Sequence, residues 1–121
     1  MSNYIKKNEF IEILENNGIE IDSTKDNINF ERLSSSCAVI ETYNYIYCVH
    51  YNTIICKFRK DDKQIVLHNG GYETVTTKEN INRFLSMIYA PFKIFQKQYQ
   101  WYIKDSSNDI KEFYNNIHLY K

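Results

Sequence analysis

The sequence predicts an α+β domain: one twisted antiparallel β-sheet packed by an N-terminal helix, a middle helix and a C-terminal helix. Three observations carry that expectation. Between residues 35 and 75 the chain is a series of short β-branched and aromatic runs separated by polar turns. Apolar residues at helical spacing recur near both ends and once in the middle. The 121 residues are one domain's worth of chain, 43% hydrophobic, which suffices for one modest core without staples. The expected division is an N-terminal helix over 3–17, a sheet-and-helix region over 36–104 and a C-terminal helix over 107–118, all within a single domain, 1–121.

The first helix is read from Ile5, Phe10, Ile13 and Leu14, which share one face, with Ser2 or Asn3 as cap and Gly18 as stop. Residues 19–34 are ambiguous: IEID alternates like a short strand, and STKDNINFERL reads as loop or helical turn. CAVIETY, NYIYCVHY and TIICKF then read as strands. KDDK is a polar turn, after which QIVLH pairs back on TIICKF as a hairpin. Asn69-Gly70-Gly71 is the strongest turn signal, leading into a short strand, YETV.

Thr76, with Glu79 three residues on, reads as the capping box of a helix carrying Ile81, Phe84, Leu85 and Ile88, which stops before Pro91. FKIFQ and YQWYIK form a hairpin hinged near Lys97. Ser106 or Ser107 then caps the last helix, in which Ile110, Phe113, Tyr114 and Ile117 share a face.

Composition bounds the function. Fifteen Lys+Arg balance fifteen Asp+Glu, which argues against a general nucleic-acid coating protein. With 17 Ile, 14 Asn, 12 Lys and 11 Tyr against 2 Ala and 1 Pro, the codon bias points to an AT-rich genome. No 7–15-residue apolar leader and no membrane span is present, so a cytoplasmic place in a bacterial host is expected. Cys37, Cys48 and Cys56 have neither zinc nor disulfide-framework spacing and read as reduced, buried thiols. No metal is expected from His50, Cys48 and Cys56, no cofactor motif is present, and no nucleophile–base–orienter set or paired-acid set stands out, so no catalysis is expected.

Two surfaces emerge as candidates. Tyr43, Tyr45 and Tyr47 fall on one face of an extended 43–50, opposite Ile46, Cys48 and His50, so a tyrosine row is expected to face outward as a protein-binding surface. Glu9, Glu12 and Glu15 make the first helix acidic; residues 1–35 carry net −3 and the remainder +3. These six residues form the expected partner-binding set. Arg59, Lys60 and Lys63, with Trp101 to stack on bases, form the alternative, a nucleic-acid contact.

HYNTIICKFRKDDKQIVLHNGGYETVTTKENINRFL followed by IFQKQYQWYIK resembles a small domain of uncharacterised role common in bacteriophage and plasmid genes. Tyr51, Thr53, Tyr72, Thr76, Thr77, Asn82 and Trp101 match its pattern. Its usual Ser-Lys-His after the threonine pair is Lys78-Glu79-Asn80 here. The resemblance implies a mobile-element gene, and the company such genes keep suggests an inhibitor of host defence. The expectation is therefore a non-enzymatic counter-defence protein of the anti-CRISPR type, binding a host effector nuclease. The alternatives are a nucleic-acid-binding or regulatory accessory module and a nucleotide-signal sponge.

Overall fold

The structure is a computed structural model that describes residues 5–21 and 28–121. Among them are helices α1 (Lys7–Asn16) and α2 (Val75–Met87) and strands β1 (Asn29–Ser34), β2 (Cys37–Glu41), β3 (Tyr45–His50), β4 (Thr53–Arg59), β5 (Gln64–Leu67), β6 (Phe92–Lys97), β7 (Gln100–Asp105), β8 (Ile110–Glu112) and β9 (Ile117–Tyr120). They form two antiparallel sheets, a six-stranded β1-β2-β3-β4-β5-β9 and a three-stranded β6-β7-β8. The protein is mostly β. Three helices on one sheet, as expected from the sequence, is therefore incorrect.

The C-terminal helix over 107–118 is the main error. Ile110, Phe113 and Ile117 do have helical spacing, but Asn108 (φ +64°) and Asn116 (φ +66°) are in the left-handed region, which no helix tolerates. Asp105 closes the intervening turn by accepting from the backbone N–H groups of Ser107 (2.8 Å) and Asp109 (3.0 Å). Beyond Asn116, Ile117 and Leu119 are buried while His118 and Tyr120 are exposed, a strand's alternation.

The hairpin of β4 and β5 forms as expected, with Phe58 opposite Ile65, and so does the β6–β7 hairpin, turning through Gln98 and Tyr99. YETV is not a strand. Thr74 is instead the cap of α2, its hydroxyl accepting from the Thr77 N–H at 3.2 Å, so the cap lies two residues before the expected Thr76 and the helix begins at Val75. Ser2 and Asn3 lie outside the described residues; α1 begins at Lys7, with the Glu9 carboxylate accepting from the Lys6 N–H at 3.0 Å. Gly18 ends it as expected: at φ +85° it lets its own N–H reach the Glu15 carbonyl and the Ile19 N–H reach the Leu14 carbonyl. Residues 19–21 are not in a strand, whereas 29–34 are, as the edge of the large sheet.

Both faces of the large sheet are buried over β2 and β3, which is why nearly every residue there is inside. One face carries Ala38, Ile40, Tyr47 and Val49 against Phe10, Ile13 and Leu14 of α1. On the other, Cys37, Val39, Cys48, Phe58, Ile65 and Leu119 meet Ile81, Phe84 and Leu85 of α2 and Ile94, Trp101 and Ile103 of the small sheet. A β-bulge sits where Cys48 faces Cys56 but Val49 faces Ile54, leaving Ile55 as the extra residue. Ile55 and Cys56 consequently enter the same core cluster.

Candidate functional site

Local turn chemistry positions the tyrosines. Thr42 and Tyr45 close the β2–β3 connection through Thr42 N–H to the Tyr45 carbonyl (2.8 Å) and Tyr45 N–H to the Thr42 hydroxyl (3.3 Å). Tyr43 is thereby held at the tip of a turn, 75% exposed. Tyr45, at the start of β3, is half-buried, and Tyr47 is only 2% exposed beneath α1. The row runs from solvent into the core rather than outward along its length. Its face is the one onto which the apolar stripe of α1 lands, a pairing of helix to face that the strand's own alternation does not encode.

Tyr45 and Tyr47 stack, with ring centroids 5.4 Å apart and planes 19° from parallel. The Lys57 ammonium stands 5.9 Å from the centre of the Tyr45 ring, within cation–π range. These three side chains form one wall of a cleft of about 420 Å³ whose other walls are Gly18, Ile19 and Glu20 after α1 and Thr42 and Asn44 of the turn. Lys57 is brought there by its place directly opposite Tyr47 in the β3–β4 register. Glu9, Glu12 and Glu15 are exposed on α1, but the acidic residue that lines the cleft is Glu20, beyond the helix.

The basic set is dispersed. Arg59 grips Asp62 through Nε (2.9 Å) and Nη2, and this pairing holds the Asp62 carboxyl down at about 2 and raises the Arg59 guanidinium. Lys60 bonds Glu41 at 2.7 Å and the Thr42 carbonyl at 2.9 Å, lowering the Glu41 carboxyl. Lys63 is exposed, in a left-handed turn position. Trp101 is 3% exposed and packs on Phe113 at 5.3 Å between ring centroids, so it is not placed to stack on a base.

The three cysteines are free and buried on neighbouring strands. Cys37 and Cys48 hold their sulfurs 3.6 Å apart. Their shared hydrogen bond and then burial push Cys37 far up; Cys48 is lowered by that bond but raised on balance by Cys56 and burial. Such thiols stay protonated near neutrality. His50 is 4% exposed, wedged against Tyr51 and Tyr72 at 4.6 and 5.8 Å between ring centroids, and burial lowers its pKa. His68 accepts from the Gly70 N–H at 2.7 Å, and His118 pairs with Gln64 at 3.2 Å. The histidines therefore do not converge, and among the described residues no group of three His, Cys, Asp or Glu side chains is arranged to hold a metal. Nor is any described helix long and apolar enough to cross a membrane.

A family model described as "Kyanoviridae Gp96 protein" fits residues 9–120. No curated protein and no solved structure matches. The fit spans both helices from Glu9 onward and all nine strands, and the phage origin implied by the sequence resemblance agrees with it. The chain belongs to the Kyanoviridae Gp96 family, a phage protein family.

Proposed function

We propose that this phage protein acts without catalysis, as a counter-defence protein that binds a host immune effector, most directly a CRISPR-associated nuclease, and occludes its nucleic-acid or activation surface. The observation that carries the reading is the pairing of Tyr45 with Glu20 in one cleft, with Tyr43 exposed at the adjoining turn and Glu12 and Glu15 exposed on α1. Aromatic side chains offer large contact area at low entropic cost. Acidic groups beside them complement the basic groove in which a nuclease holds its nucleic acid. Phage membership supports the biological setting.

The test is capture from a host lysate with wild-type protein and a Tyr43→Ala/Tyr45→Ala variant, followed by a cleavage assay with the captured effector. Stoichiometric capture lost in the variant, with nuclease activity blocked only by wild type, supports the reading. Equal capture by both, or uninhibited cleavage, overturns it.

A second reading rests on the cleft itself, whose volume falls in the roughly 300–1,000 Å³ range of small-molecule sites. A nucleotide-signal sponge would use Tyr45 for stacking and Lys57 for a phosphate. Its mark is a nucleotide released when the purified protein is heated.

A further inference from the structure

The small sheet turns its two faces to different surroundings. Ile94, Trp101 and Ile103 of β6 and β7 are buried in the core, so the residues between them point the other way. Register pairs those outward residues across the strands, Lys93 opposite Lys104 and Phe95 opposite Tyr102. The Phe95 and Tyr102 rings stack, with centroids 5.6 Å apart and planes 24° from parallel. Both are only half-buried, and Lys93, Lys97 and Lys104 around them are exposed. Glu112 of β8 lies opposite Tyr102 on the same face.

Like charges directly opposite in an antiparallel pair are destabilising. Lys93 and Lys104 form such a pair, and none of the three lysines is ion-paired among the described residues. An anion seated between the two ammonium groups would relieve that repulsion. About 7 Å further along the strands stand the stacked rings, on a sheet face that is ordinarily polar. An anion site next to a flat aromatic platform matches the two repeating parts of a nucleotide chain, phosphate and base.

We propose that the outer face of β6-β7-β8 binds single-stranded RNA, with a phosphate between Lys93 and Lys104, bases on Phe95 and Tyr102, and a further phosphate at Lys97. Bases stacked and paired in a duplex have no free faces for such a platform, so the strand is single. Glu112 selects the sugar. Beside a base on Tyr102, its carboxylate repels phosphate but accepts from a ribose 2′-hydroxyl, which DNA lacks. The balanced charge of the whole chain is compatible with this, because the positive excess is local to one face. None of these residues lines the tyrosine cleft or belongs to α1. The inference therefore goes beyond the function proposed above and is tested separately from it.

The test is fluorescence anisotropy with the full chain and an end-labelled, unstructured RNA of about ten nucleotides. Wild type should bind saturably, and two phosphate contacts should make binding about sevenfold weaker at about 200 mM salt than at about 50 mM. Lys93→Gln/Lys104→Gln should weaken binding at least about tenfold, while its urea midpoint stays level or rises because a like-charge pair has gone. Phe95→Leu/Tyr102→Leu should lose at least about fivefold, whereas Tyr102→Phe keeps the ring and should bind as wild type does. DNA of the same sequence should bind more weakly than the RNA, and Glu112→Ala should close that gap. RNA left free at about 200 µM protein, a folded lysine variant that binds like wild type, or DNA bound as tightly as RNA overturns the proposal. So does displacement of the RNA by polyglutamate as readily as by unlabelled RNA, the mark of a docking face for an acidic protein.

Discussion

Asn82 grips Ile94 at both ends of its peptide plane: the Asn82 amide donates to the Ile94 carbonyl at 2.9 Å, and its oxygen accepts from the Ile94 N–H at 2.7 Å. A side chain of α2 thereby behaves as one more strand residue for β6, fixing the small sheet against the helix that roofs the large one. Truncation leaves a backbone donor and acceptor half-buried without partners. Asn82→Ala should cost about 2 kcal/mol in urea unfolding. Asn82→Asp, which keeps the acceptor and loses the donor, should fall between that variant and wild type.

The tyrosine row should split by position. Tyr47→Ala opens a cavity under α1 and should destabilise by about 3–5 kcal/mol, read from the urea midpoint. Tyr43→Ala, at the exposed turn, should change stability by less than about 0.5 kcal/mol while weakening effector capture. Equal stability losses at both positions would contradict the burial described.

Tyr89 ends α2 at φ +57° while 85% exposed, with the Tyr89 N–H on the Ser86 carbonyl and the Ala90 N–H on the Leu85 carbonyl. Glycine suits that backbone better than tyrosine. Tyr89→Gly should raise stability by about 0.5–1 kcal/mol, despite losing the Lys121 ammonium, 5.9 Å from the ring centre. Thermal unfolding should show a higher Tm.

His50 supplies a pH dependence with a defined sign. Burial lowers its folded pKa below the ordinary 6.5, so the unfolded chain takes up the proton first and stability falls as pH drops through 6.5. Asp62 acts lower: its folded value of about 2 against an ordinary 3.8 means its contribution is present above 3.8 and lost as pH falls toward 2. Urea midpoints for His50→Gln should flatten between about pH 7 and 5, and those for Asp62→Asn below about pH 4.

The thiols should be silent until the fold opens. Cys37, Cys48 and Cys56 are fully buried and the first two have raised pKa values. Ellman's reagent at pH 8 should titrate none in the native protein and all three in denaturant. Rapid native reaction would place at least one thiol at the surface.

Much of this protein was legible in sequence because the signals were local. The strand composition of TIICKF and QIVLH, the stop at Gly18 and the Lys97 hinge each depend on a few adjacent residues and their backbone preferences. The reduced, inward thiols followed from their apolar neighbours. Helical spacing at Ile110, Phe113 and Ile117 misled because two short strands joined by a turn can reproduce the same period; the left-handed Asn108 and Asn116 decided between them. Tertiary structure alone assigned the faces. Alternation says that Tyr45 and Tyr47 share a side with Val49, but whether that side is wet depends on where α1 lands, and α1 stops short of Tyr45. Contact between segments distant in sequence likewise placed β9 on β5 and sealed Trp101 inside, while the β3–β4 register set Lys57 over Tyr45. Burial is a property of which surfaces meet, and that is settled by the packing of the whole chain rather than by any segment's own pattern.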